Sequence, residues 1–283
     1  MAKYIGTYAT SGDVRTALNE SELSRPFIAY TTDDDKVTFG PNVNRAEVGD
    51  IVVYSTGDTL LHYVKQADYS ASTYPTAAYI PVGVVAMPQA DDAILGPTGE
   101  ITFMGLNYLD TNNPDTGKTV FNTMRWGYIY FDIPELTNYA NSGTAITDMN
   151  GKVNTQAVLQ YATAQTDWRT ASAITAGDAA GNYPAFECAW RYHTSGTVQG
   201  DWYVPSCGQL NIIKEDSTKL NALNAGFTAI GSVTFNIQYT HGTSTESSNT
   251  NKYWCTSSNG FGMEFKNAPY GFRPYSSKLM TRI

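Results

Sequence analysis

The sequence predicts an α+β protein in which a β-rich barrel or sandwich module precedes a mixed module of helices and strands. Three observations lead there. Short runs of β-branched and aromatic residues alternate with turns over 46–90, as in Ile51-Val52-Val53-Tyr54 and Val82-Gly83-Val84-Val85. Beyond residue 148, apolar residues recur at spacings of three and four, as in Leu220, Leu223 and Phe227. The chain of 283 residues carries 20 Tyr and 24 Gly but is only 16 % charged, where about 25 % is usual. That palette suits a polar, β-rich protein with aromatic contact surface.

Taken in order, residues 1–45 form an attachment segment. Ser11 can cap a short helix with Val14, Ala17 and Leu18 on one face. Pro26–Tyr30 reads as a strand, Asp33-Asp34-Asp35 as an exposed turn, and Lys36–Phe39 as the return strand. Residues 46–120 form the β-rich module, with strands at Gly49–Tyr54, Leu60–Val64 and Tyr79–Met87. Asp110–Gly117 is a polar turn and Trp126–Phe131 an aromatic strand. A domain boundary is expected between about 90 and 125, where strands give way to turns.

Residues 121–283 form the mixed module. Asp148–Gly151 is a turn, and Asn154 or Thr155 can cap a helix holding Val158 and Tyr161. A second amphipathic segment surrounds Phe186, Cys188, Ala189 and Tyr192. After a turn at Gly200, Trp202-Tyr203-Val204-Pro205 leads into Ser206-x-x-Gln209, which has the form of a capping box. Strands follow at Tyr253–Ser258, Phe261–Phe265 and near Met280–Ile283. The runs 239–251 and 259–277, rich in Tyr, Ser, Asn, Thr and Gly, read as surface.

Chemistry is sparsely encoded. Formal net charge is −8 and no basic run occurs, so no nucleic-acid partner is expected. No stretch of about 18 apolar residues exists, so no membrane insertion is expected. Met1–Gly6 lacks the apolar core of a signal peptide, so synthesis in a cytoplasm is expected. Three cysteines, Cys188, Cys207 and Cys255, read as buried free thiols. The aspartate run lacks EF-hand spacing and the cysteines lack zinc spacing, so neither metal nor cofactor is expected. Gly117-Lys118-Thr119 is not a P-loop, since Asn112 stands where its first glycine belongs. His62, His193 and His241 lie in unrelated contexts, and no catalytic residue is assigned.

From Asp148 onward the chain resembles the Fibrobacter-type paralogous and Bacteroides domains of the C-type-lectin-like superfamily. The matching residues are Asp148-x-x-Gly151 with Asn154-Thr155, then Cys188, then Gly200-x-Trp202-Tyr203-Val204-Pro205-Ser206-x-Gly208-x-Leu210, then Asn221 and Leu223, then Tyr253-Trp254-x-Thr256-Ser257, and the terminal Arg282-Ile283. The resemblance implies that Trp202, Tyr203, Pro205, Ser206, Gly208, Tyr253 and Trp254 are scaffold. Cys255 replaces the family's usual serine, and Glu-Pro-Asn, Gln-Pro-Asp and Trp-Asn-Asp are absent. Calcium-dependent sugar binding is therefore not implied.

The opening, with Tyr4-Ile5-Gly6 and Pro26–Tyr30, resembles leaders of structural proteins from Bacteroides phages, including crAss-like phages. Gly49-Asp50-Ile51-Val52 and Pro81–Val85 are similar to segments of capsid-decoration barrels. The pairing implies a virion surface protein, such as a head fibre, decoration or adhesin, that displays a lectin-like domain for host attachment. The implied partners are capsid or tail proteins, further copies in a homo-oligomer, and a host-surface glycan or protein. Asn259, Phe261, Asn267, Tyr270 and Phe272 are the expected contact residues. The competing readings are a bacterial surface adhesin and an enzyme of the formylglycine-generating class, the latter requiring a reactive cysteine pair.

Overall fold

The structure, a computed structural model, describes residues 45–88, 100–127, 132–162, 183–258 and 260–283, together with the backbone alone of 3–8, 27–31, 36–39, 90–92, 96–98 and 163–164. Strands β1 (Lys3–Tyr8), β2 (Phe27–Thr31) and β3 (Lys36–Phe39) make a three-stranded sheet, with β1–β2 parallel and β2–β3 antiparallel. The return strand falls where the sequence places it. The helix expected after Ser11, and the aspartate turn, lie outside the described residues.

The valine-rich runs form β4 (Ile51–Ser55), β5 (Leu61–Val64) and β6 (Tyr79–Met87), followed by the short pair β7 (Ala90–Asp92) and β8 (Gly96–Thr98), then β9 (Ile101–Gly105) and β10 (Thr123–Arg125). Trp126 is buried just after β10, and residues 128–131 of the expected aromatic strand lie outside the described residues. The helices are α1 (Ser142–Ala145), α2 (Gly151–Ala164) and α3 (Pro184–Arg191). After β11 (Trp202–Tyr203) come α4 (Cys207–Lys214) and α5 (Ser217–Ala229). The chain ends in β12 (His241–Glu246), β13 (Lys252–Ser257), β14 (Gly260–Phe265), β15 (Pro269–Gly271), β16 (Tyr275–Lys278) and β17 (Thr281–Arg282).

The mixture of helices and sheets makes the fold α+β. Two large sheets organise it, one in the order β11-β16-β9-β6-β4-β5-β17 and one in the order β10-β15-β12-β13-β14. Both are open among the described strands, so the strands of 51–105 do not form a barrel closed upon itself there. Nor does a boundary near residue 120 separate two sheets or two cores. Antiparallel β9–β16 pairs Met104 with Tyr275 and Phe103 with Ser276, and β17 adds in parallel to β5. One hydrophobic core holds Val52, Val85 and Phe103 together with Phe186, Tyr253 and Phe272. The expected segments 46–120 and 121–283 therefore share a sheet and an interior. The reason is physical: β4, β5, β6 and β9 bury both faces, and the opposite face needs a partner layer.

Helix α5 packs on this sheet. Its Leu223 and Phe227 join Val84 and Met104 in a second core, where Leu210 and Ile213 of α4 also lie. The approach is close enough to require glycine. A Cβ on Gly49, whose φ is +98°, would sit 2.5 Å from the Ala222 carbonyl oxygen, and one on Gly226 would sit 2.4 Å from that of Gly49.

Candidate functional site

Asp148, Gly151, Ser206 and Gly208 meet at one joint, the N-terminus of α4. A helix start leaves its first N–H groups without helical partners, and here the partners come from three elements. The Cys207 N–H donates to Thr245 Oγ1 at 2.8 Å, and the Gly208 N–H donates to the Asp148 carbonyl at 2.8 Å. A capping box closes the turn. Its firm half is the Ser206 N–H donating to Gln209 Oε1 at 3.0 Å, while the Ser206 hydroxyl proton goes to the Asp148 carbonyl at 2.6 Å. A Cβ on Gly208 would lie 2.4 Å from the Asp148 oxygen, and one on Gly151 would lie 2.2 Å from Gln209 Oε1. The spacing Ser206-x-Gly208 thus follows from the backbone of 148 running directly against the helix start.

Asp148 also works through its carboxylate. Oδ1 accepts the Asn150 N–H at 2.9 Å, and Oδ2 accepts the Asn154 amide at 2.8 Å and the Thr245 hydroxyl at 2.7 Å. Helix α2 therefore begins at Gly151, three residues earlier than expected, and Asn154 and Thr155 are not its caps. Thr155 Oγ1 instead accepts the Val204 N–H at 3.0 Å. The remaining motif residues are interior. Trp202 packs edge-on against Phe103 and Tyr192 and donates to Thr197 Oγ1 at 2.9 Å. Trp254 donates to the Tyr139 carbonyl at 3.0 Å. Tyr203 shares a hydrogen bond with Ser277, Tyr253 stacks on Trp126, and the Pro205 carbonyl accepts the Ser244 N–H at 2.8 Å.

The run 239–251 departs most from its expected surface role. His241–Glu246 is a strand with every residue buried. Its hydroxyls are occupied: Thr243 donates to the Trp254 carbonyl at 2.6 Å, and Thr245 bridges Asp148 and Cys207. His241 stacks with Tyr108 and Phe235, and its Nε2 meets the Asn236 carbonyl at 2.9 Å. Burial, with the Arg273 charge adding to it, pushes the imidazole down to about 4. At the strand's end a buried ion pair joins Glu246 to Lys266, and the Lys266 ammonium lies 4.7 Å from the centre of the Trp126 ring. Burial raises Glu246 to about 7 against the pull of Lys266.

Of the expected contact residues, Asn267 is exposed, Phe261 and Tyr270 are half-buried, and Asn259 lies outside the described residues. Phe272 is not a surface residue. It is fully buried, and a Cβ on Gly242 would meet its ring at 2.1 Å. Residues 271–277 are buried with it. Arg273, which no sequence signal marked, donates to the carbonyls of Gly105, Leu106 and Val233 and stacks 3.9 Å from the centre of the Phe227 ring. It ties three distant segments together, and only the fold reveals it.

Reactive chemistry is restrained. The three cysteines are buried free thiols. Burial raises each of them, Cys255 to about 12, and Cys188 and Cys207 further. A thiol held in that range is a poor nucleophile at neutral pH. His62 bonds Asp58 and Thr281, and His193 bonds the Arg191 carbonyl. Among the described residues no three His, Cys, Asp or Glu side chains gather to hold a metal, and no helix is long and apolar enough to cross a membrane. Comparison with known protein families, curated proteins and solved structures gives no match for this chain.

One outward surface is the far edge of the five-stranded sheet. On β14, Met263 and Phe265 are 40 % and 49 % exposed, and Asn267, just after the strand, is exposed too. This edge can make apolar and backbone contacts with another surface.

Proposed function

We propose that this chain is a phage virion surface structural protein, a head fibre, decoration or adhesin, whose C-type-lectin-like part contacts the host surface. Its partners are capsid or tail proteins, other copies of itself, and a host-surface glycan or protein. The observation that carries the reading is the division of labour along 202–270. The family-like scaffold residues are spent on the interior, and the aromatic and amide side chains around β14 are left outward. A contact surface on a stiff scaffold fits recognition, and repetition on one particle makes a weak contact useful. The formylglycine-type alternative is not favoured, because its chemistry needs a reactive thiol pair and these thiols are buried and raised.

The test is made on particles. Infection with phage carrying Phe265→Ala and Asn267→Ala together should yield virions that contain the chain at the wild-type ratio to capsid protein by mass spectrometry, while adsorption to host cells falls. Purified particles lacking the wild-type chain would rule out the virion reading. Unchanged adsorption by the variant would rule out host contact through this face.

A further inference from the structure

We infer that β14 is a self-pairing edge, through which two copies of this chain join their five-stranded sheets about a two-fold axis. Sheet edges invite foreign strands, and proteins blunt them with short strands, lysines, prolines or bulges. The other edges of the two large sheets follow that rule. Strand β10 has three residues and includes an arginine, while β11 and β17 have two residues each. Strand β14 does not follow it. It runs six residues, Gly260-Phe261-Gly262-Met263-Glu264-Phe265, and pairs with β13 in unbroken register. It has no proline, lysine or bulge, and β13 is its only partner among the described strands.

The side chains fit a second copy. Strand alternation puts Phe261, Met263 and Phe265 on one face and Gly260, Gly262 and Glu264 on the other. Gly260 has a φ of +119°, so the backbone itself asks for glycine there, but nothing lies within 4 Å of the Cβ position of Gly262 and its φ is ordinary, so its own fold does not demand glycine. A glycine in a strand without an internal reason marks the close approach of another backbone. In an antiparallel pair centred on Met263, Phe261 stands opposite the partner's Phe265, and Met263 opposite the partner's Met263. The six apolar side chains then form one strip. Glu264, the strand's only charge, stands opposite the partner's Gly262, so no carboxylate meets a carboxylate. An interface that must match itself under two-fold symmetry requires such a register. This names the surface for the oligomer in the reading above, and it stands on the edge geometry whether or not the chain joins a virion.

The experiment measures the mass of the full-length chain by light scattering in the micromolar range, with virion incorporation scored separately. The wild type should be a dimer. Met263→Lys should weaken dimerisation by at least about tenfold, because the two lysines stand opposite each other at the axis; Phe265→Lys should also weaken it, because it sets a charge against the partner's Phe261, and the thermal unfolding of both in the monomeric range should match that of the wild type. Both side chains are exposed, so the fold should tolerate them. Met263→Cys should form a covalent dimer on mild oxidation. The native cysteines are buried, so they give no background. A wild-type monomer, a dimer indifferent to both lysine variants, or a Met263→Cys chain that does not cross-link would each overturn the inference.

Discussion

Replacing Asp148 by alanine should cost the fold more than any substitution on its surface. The carboxylate accepts the Asn154 amide, the Thr245 hydroxyl and the Asn150 N–H, at 2.8, 2.7 and 2.9 Å. Asn154 and Thr245 are buried, whereas Asn150 is exposed and regains water when its partner goes. A buried donor left without an acceptor costs about 1–3 kcal/mol, so two of them come to about 2–6 kcal/mol. Domains are typically stable by about 5–15 kcal/mol, so the variant loses a large share. Asp148→Asn keeps the volume and one acceptor but turns an amide N–H toward other donors, and should cost about 1.5–3 kcal/mol. The assay is urea unfolding of wild type, both variants, Thr245→Val and the double variant Asp148→Ala/Thr245→Val. The double variant should lose clearly less than the sum of its singles, since both remove the same bond. An Asp148→Ala loss under about 1 kcal/mol at an unchanged denaturant slope would refute the joint as the source of stability.

Three further outcomes follow from buried groups. Glu246→Gln leaves Lys266 buried beside Trp126 without its carboxylate, and should destabilise by about 3–5 kcal/mol, measured by urea unfolding about one to two pH units above the value near 7 to which burial raises Glu246; a neutral effect would mean that the pair is not buried in solution. His241 is held near 4 when folded and titrates near 6.5 when unfolded, so it binds fewer protons folded than unfolded between those values. Its contribution should therefore be present above about 6.5 and fall by about 3 kcal/mol as pH drops to about 4. His241→Phe should lack that slope, and equal slopes in both proteins would contradict it. Native protein should give almost no reaction with a thiol reagent, and three thiols should appear on unfolding in denaturant without reductant; rapid reaction of the native protein would contradict their burial.

Legibility in the sequence followed the range of the interactions. The Ser206–Gln209 box and the Leu220, Leu223, Phe227 spacing were readable because a helix states its period and its cap within a few residues. Phe186, Cys188 and Ala189 face inward on α3 for the same reason. Strand β12 was not readable. His241-Gly-Thr-Ser-Thr-Glu has no apolar alternation and looks like a loop until its hydroxyls find Asp148 and the Trp254 carbonyl. A buried polar strand depends on partners far away in sequence, and local pattern cannot announce them. Phe272 misled in the same way. Its run, rich in Tyr, Ser, Asn and Gly, reads as surface, but the empty side of Gly242 receives its ring. Asn267 is exposed in a run that reads as surface, while Met263 and Phe265 read as ordinary strand residues. Their exposure follows from β14 standing last in its sheet.

The pairing of β9 with β16 decides how this molecule can be dissected. A chain cut near residue 125 would keep β4, β5, β6 and β9 but lose β11, β16 and β17. Phe103 would lose Trp202, and Val84 and Met104 would lose Leu223 and Phe227. Such a fragment exposes sheet edges and an apolar face, which is the profile of an aggregating species. Residues 46–283 should accordingly unfold as one cooperative unit. Trp202 and Trp254 lie in the later segment, whereas much of the sheet comes from the earlier one. Tryptophan fluorescence and far-ultraviolet circular dichroism therefore report on different parts, and their urea transitions should superimpose. Two separated transitions, or a soluble and folded fragment ending near residue 125, would show that the shared sheet does not couple the segments. If the transitions coincide, any anchoring role of the first half and any display role of the second must be separated by single substitutions on the outer edge.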